Sequence, residues 1–183
     1  MKIAILQVGM VEQSVLRRIQ GSVSQVFPHT ESVILKEVLS LPQEAYDDKR
    51  GQYNSSFLLD LVREYLKKTD ANKILGITSA DLYVPQLNFA FGEAELQGKV
   101  ALISLHRLEP EFYGNSANIS LFLERAIKEA VHEIGHTLGL NHCSNRSCVM
   151  SFSNTIGDVD RKKWEFCQKC SKQLSKLIDN MHH

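Results

Sequence analysis

His132-Glu133-Ile134-Gly135-His136-Thr137-Leu138-Gly139-Leu140-Asn141-His142, with Cys143 directly behind it, has the form H-E-x-x-H-x-x-G-x-x-H. On a helix, positions four apart lie nearly above one another, so His132 and His136 present two imidazoles to one point. Two neutral imidazoles at that separation suit one tetrahedral zinc ion. Glu133 is rotated about a quarter turn from them, within reach of a water at the metal without being a ligand. Gly139 allows the left-handed backbone that ends a helix. The reversal brings His142 back to the same ion as a third nitrogen ligand. Three protein ligands leave a fourth position open, the arrangement of a catalytic zinc site. Three histidines around a charged glutamate would make poor core, whereas as a metal site the pattern supplies both ligands and base.

Upstream, Leu121, Leu123, Ala126, Ile127, Ala130, Val131 and Ile134 keep helical spacing from about Ile119 into the motif, predicting the longest and most central helix. Before it the chain alternates. Residues 2–8 form an apolar run bounded by Gly9, 11–27 carry apolar positions at helical spacing, and 32–39 are rich in β-branched residues. Residues 41–51 are polar and read as a loop; 54–68 carry a helical stripe of Phe57, Leu58, Leu61, Val62 and Tyr65; 73–78 form a third strand. This β-α-β-α-β order argues for an α/β layer with parallel strand pairs. Residues 88–94 are a candidate edge strand, 98–106 a further strand, and 109–118 a connection. Beyond His142, residues 143–154 are polar and cysteine-bearing. Residues 158–180 read as one terminal helix, with Asp158 as N-cap and Arg161, Lys162 and Lys163 on its solvated side. His182 and His183, native or from a tag, are excluded from every site argument.

The 183 residues suffice for one sizeable core, and 43% apolar with 23% charged residues is ordinary for a globular protein. Lys plus Arg and Asp plus Glu number 21 each, so no charge excess points to nucleic acid or a membrane surface. The apolar run after Lys2 stops at Gln7, too short for a signal peptide core or a membrane span, which makes the cytoplasm the expected compartment.

All four cysteines fall in the last quarter, Cys143, Cys148, Cys167 and Cys170, as C-x4-C, eighteen residues, C-x2-C. Two close pairs separated by a longer gap suit a structural Cys₄ zinc site, each pair supplying half a tetrahedron. Two disulfides or four unrelated thiols are the alternatives; the absence of a secretion signal disfavours the first and the clustering disfavours the second. Because His142 and Cys143 are consecutive, the two ions would share one backbone turn, and the cysteine site would staple the terminal helix beside the histidines.

The motif through His142, the immediate Cys143, then Cys148-Val149-Met150 and Cys167-Gln168-Lys169-Cys170, resembles the archaemetzincin family of metzincin-type zinc metalloproteases. The resemblance covers residues 132–170. It implies one metalloprotease domain over 1–183: an α/β (α+β) fold with a twisted mixed sheet, an antiparallel edge strand, an active-site helix and a small zinc-stapled C-terminal subdomain. The N-terminal subdomain would be 1–142 and the C-terminal one 143–183. It implies His132, His136 and His142 as catalytic zinc ligands, Glu133 as general base, Met150 as the Met-turn residue beneath the metal, and the four cysteines as ligands of a second zinc. The eight residues from His142 to Met150 are fewer than in many metzincins, and no tyrosine follows Met150.

The expected activity is therefore zinc-dependent peptide-bond hydrolysis on a peptide or protein substrate aligned along the 88–94 edge strand by main-chain hydrogen bonds. A zinc-stabilised protein-interaction module with weak or no peptidase activity is the alternative; Glu133 argues against it, since a purely structural site needs no carboxylate there. Nucleic-acid binding by the cysteine segment would need Arg146, Arg161, Lys162, Lys163, Lys169, Lys172 and Lys176 on one face, and Asp158, Asp160 and Glu165 interrupt them.

Overall fold

A computed structural model describes residues 1–179. Its centre is a five-stranded sheet built from the apolar runs: β1 (Lys2–Val8), β2 (Glu31–Leu39), β5 (Lys73–Thr78), β7 (Gly92–Ala94) and β8 (Val100–Ser104), in the order β2-β1-β5-β8-β7. The first four strands in that order run parallel, and β7 closes the edge antiparallel to β8. Residues of β5 and β8 are buried throughout, as strands covered on both faces must be.

Helices α1 (Gln13–Val26) and α3 (Ile119–Thr137) cover one face, burying Val15, Leu16, Ile19, Ala126, Ala130 and Val131 against Ile3, Ile5, Ile77 and Ile103. Helix α2 (Ser55–Leu66) covers the other with Leu58, Leu59 and Val62 on Ala4, Leu6, Ile74 and Leu102. The alternating layer expected from the sequence is thus present. The stripe of α2 is offset, however: Leu59 and Leu66 are buried, whereas Phe57 is 41% exposed. Asn54 caps α2 by accepting from the Phe57 N–H, and Asn118 caps α3 through the Leu121 N–H.

Three further strands, β3 (Tyr46–Asp47), β4 (Gln52–Asn54) and β6 (Leu82–Tyr83), form a small second sheet, β3 lying within the 41–51 stretch that read as loop. The candidate edge strand is shorter than 88–94: only Gly92–Ala94 pairs with β8, while Ala90 bridges to Leu82.

The C-terminal part departs most from expectation. The single helix over 158–180 is two helices, α4 (Ile156–Arg161) and α5 (Gln168–Asp179); Asn180 and the terminal histidines lie outside the described residues. Thr155, not Asp158, is the N-cap of α4; Asp158 sits three residues in and completes a capping box with it. Between the helices the chain lies along the cysteine loop, the Lys163 N–H donating to the Ser147 carbonyl and the Val149 N–H to that of Glu165. Lys162, expected on the solvated side, is buried. Its Nζ lies 2.8 Å from Glu129 Oε1 on α3, the two side chains 0% and 3% exposed. Arg125 of α3 grips the more exposed Asp160 through Nε and Nη2 at 2.7 and 2.8 Å, so one buried and one partly exposed ion pair tie α4 and the residue after it to the central helix. Among the described residues, no helix is long and apolar enough to cross a membrane.

Candidate metal centre and cleft

Helix α3 runs back along the sheet and ends at the amino ends of β5 and β8. There Lys73 Nζ donates to the carbonyls of Thr137 and Gly98 (2.8 and 2.7 Å), and the Gln97 N–H donates to that of His136 (3.0 Å). Gly139 follows with φ +97°, the left-handed turn expected of it, and returns the chain so that the His142 ring lies 5.3 Å from that of His132 and 4.8 Å from that of His136. One ring nitrogen from each histidine falls within 4.8 Å of the others.

The hydrogen bonding fixes which nitrogen faces inward. His132 Nδ1–H donates to the Val149 carbonyl and His136 Nδ1–H to that of Leu140, both at 2.8 Å. Their Nε2 atoms are then bare acceptors, 3.0 Å apart. Two lone pairs at that distance repel unless a cation lies between them, and Zn–N bonds of about 2.0–2.1 Å would set them about 3.4 Å apart. Burial, reinforced by Lys162 and the neighbouring histidines, lowers the pKa of His132 well below the usual imidazole value; burial likewise lowers those of His136 and His142. All three are held neutral, as metal ligands must be.

Glu133 is 6% exposed and rests against Gly92 of β7, where an added Cβ would meet its carboxylate at 2.7 Å. Burial, then the nearby Glu129, raise its pKa well above the usual carboxyl value, and Lys162 opposes them. Met150 is fully buried against the motif helix, its Sδ so close to Gly135 that a Cβ there would lie 2.5 Å away; its carbonyl accepts from the Cys143 N–H at 2.9 Å.

The four cysteines gather as the spacing suggested, their sulfurs within 4.8 Å of one another. Cys143 and Cys167 Sγ stand 3.8 Å apart, the separation that Zn–S bonds of about 2.3 Å give across a tetrahedron. Burial pushes up the Cys167 thiol, but the Cys170 N–H at the start of α5 and the surrounding thiols outweigh it and bring the group to about 7. Burial and the same thiols raise Cys170.

The histidines open onto a cleft of about 480 Å³. One wall is the stretch before β7, with Leu87 and Phe89; the other is the segment after Met150, where the half-exposed Phe152 ring lies 5.1 Å from His142. Arg107 braces the first wall, stacked 4.4 Å from Phe89 and paired with Asp81 at 2.7 Å. Sequence reading missed Glu129, Lys162, Phe152 and Ser153. Glu129 alone carried a signal, standing one helical turn before Glu133. A larger cavity of about 580 Å³, among Met10, Leu105 and Phe122 at the other end of α3, holds none of these groups.

Residues 1–176 match the model of Peptidase family M54. The chain belongs to this family, the archaemetzincins. An archaemetzincin of Methanocaldococcus jannaschii is 49% identical over 174 residues, which cover 95% of this chain and 93% of that protein. The crystal structure of the archaemetzincin of Methanopyrus kandleri superposes on the M54 chain with a TM-score of 0.86 at 38% identity, covering 98% of this chain and 96% of that one. A zinc-dependent peptidase from Methanocorpusculum labreanum gives 0.82 at 32% identity, over 94% and 99%. The M54 chain is a zinc metallopeptidase, with the mixed sheet, antiparallel edge strand and C-terminal cysteine cluster expected from the resemblance.

Proposed function

We propose that the chain hydrolyses peptide bonds through a zinc ion held by His132, His136 and His142, with Glu133 as general base. The observation that carries this reading is the pair of bare Nε2 atoms 3.0 Å apart, each fixed by a backbone carbonyl behind it, beside a buried carboxylate that is not a ligand. A bound zinc ion supplies Lewis acidity toward the scissile carbonyl and the positive charge that lets Glu133 ionise. Glu133 then accepts a proton from the attacking water and returns it to the nitrogen of the leaving amine as the C–N bond breaks. The free edge of β7 takes an extended peptide or protein segment by main-chain hydrogen bonding and aligns it over the histidines. Met150 supports the histidine floor.

A second zinc ion on Cys143, Cys148, Cys167 and Cys170 serves structure, pinning the C-terminal subdomain (143–183) to the N-terminal one (1–142) at the turn beside His142. The cytoplasm is the compartment that suits such a thiolate site. The decisive experiment compares wild type with Glu133→Ala in a broad peptide-library digest alongside metal analysis. The variant should keep its zinc and lose about 10²–10⁴ in rate. Wild-type turnover by the zinc-loaded variant would overturn the mechanism.

A further inference from the structure

One end of the cleft finishes on buried polar groups, one of them a hydroxyl without a partner among the described residues. Glu129, 2% exposed, lines the cleft one turn before Glu133, about 6 Å along the helix. Its Oε1 and Lys162 Nζ form an ion pair at 2.8 Å, and among the described residues each has only the other as partner. On the facing wall Ser153, after Met150, also lines the cleft, and its buried Oγ has no partner among the described residues. A buried hydroxyl in that condition has lost its hydration without a protein partner in exchange. Water satisfies such atoms when nothing else does, and a ligand group that reproduces those hydrogen bonds displaces it without loss.

We infer that Glu129 and Ser153 form a subsite for a neutral, hydrogen-bonding side chain of the substrate, an amide or a hydroxyl, beside the scissile bond. The inference rests on the peptidase reading for its substrate and on charge for its selectivity. Lys162 already balances Glu129, so a lysine or arginine side chain would bury an uncompensated positive charge. An acidic side chain would add a third carboxylate to Glu129 and Glu133. An apolar side chain would leave the Ser153 hydroxyl without a partner, which polar sites reject strongly. A primary amide answers both walls: its N–H donates to the Glu129 carboxylate, and its carbonyl accepts from the Ser153 O–H.

The test uses the zinc-loaded full chain and quenched fluorescent peptides that carry Gln, Leu, Lys or Glu in turn at each position flanking the scissile bond. At one of these positions the Gln peptide should exceed the Leu peptide about tenfold in kcat/KM, with Lys and Glu below Gln, and Ser153→Ala should bring the Gln-to-Leu ratio toward one. The same peptides are titrated calorimetrically into Glu133→Ala, where their order in Kd should be the same without turnover. A preference for Leu, a ratio unchanged by Ser153→Ala, or no measurable binding of any peptide would overturn the subsite. If the Kd order holds while wild type cleaves nothing, the subsite stands and only the proposed hydrolysis falls.

Discussion

Lys162→Met should be among the most damaging single substitutions outside the metal ligands. At 2.8 Å and an effective dielectric of about 20, the attraction between Lys162 and Glu129 is roughly 6 kcal/mol. Most of that offsets the desolvation of two charges, so the intact pair contributes little net stability. Removing the ammonium alone is different: Glu129, 2% exposed and already near Glu133, keeps its desolvation cost without its cation. Breaking a buried pair from one side costs about 3–5 kcal/mol. For a chain of this length that corresponds to a fall in Tm on the order of 10 °C. Replacing both partners, as Lys162→Met with Glu129→Leu, should restore most of the loss, because two apolar groups fill the space without an orphaned charge. Urea unfolding of the zinc-loaded wild type, single and double variants measures all three. A single variant within 1 kcal/mol of wild type, or a double variant no more stable than the single, would refute the reasoning.

Elemental analysis should find two zinc ions per chain; a mild chelator should strip the open histidine site first while far-UV circular dichroism stays unchanged, and a stoichiometry of one would contradict the double assignment. Cys167→Ser should cost several kcal/mol and lower the zinc content, since a structural zinc contributes folding energy directly; an unchanged melting curve with unchanged zinc would remove the Cys₄ site. Acidification should weaken the metal-free chain. The three histidines have folded pKa values below the unfolded 6.5, so their contribution is present above pH 6.5 and lost as pH falls through the folded values. Glu133, raised above 4.5, acts with the opposite sign, its contribution present below pH 4.5 and lost as pH rises through its folded value. Tm of the chelated chain measured from pH 8 to pH 5 should fall below about pH 6.5; a rise there would mean that Glu133 dominates.

The histidine site was legible because its parts are local. Two imidazoles four apart and a glycine at a helix end are governed by helix geometry, and Gly139 adopts the left-handed conformation that reading required. The cysteine cluster was legible for a related reason, since two closely spaced pairs are a local pattern that does not depend on the rest of the fold. What was missed depends on contacts between segments distant in sequence. Lys162 looks like one more surface lysine until α4 is docked on α3 and places it against Glu129. The single terminal helix read over 158–180 breaks because residues between α4 and α5 must run along the cysteine loop to deliver Cys167. The offset stripe of α2 has a simpler cause: Phe57, Leu58 and Leu59 are consecutive apolar residues, and periodicity alone cannot choose between two adjacent faces. The strands of the small second sheet are two or three residues long, too short for an alternating pattern to register.

The polarity of α3 has a consequence for what this fold attracts. Open α/β sheets commonly hold ligands beyond the carboxyl ends of their strands, where helix amino termini favour anions such as phosphates. Here that end carries the cavity among Met10, Leu105 and Phe122, and the histidines stand at the opposite pole, where α3 ends in carbonyl groups with a partial negative charge. The macrodipole thus favours a cation and opposes an anion. The layered architecture familiar from nucleotide-binding proteins is kept, but the histidine cluster sits at its other pole, where the field would welcome a metal ion and repel a phosphate.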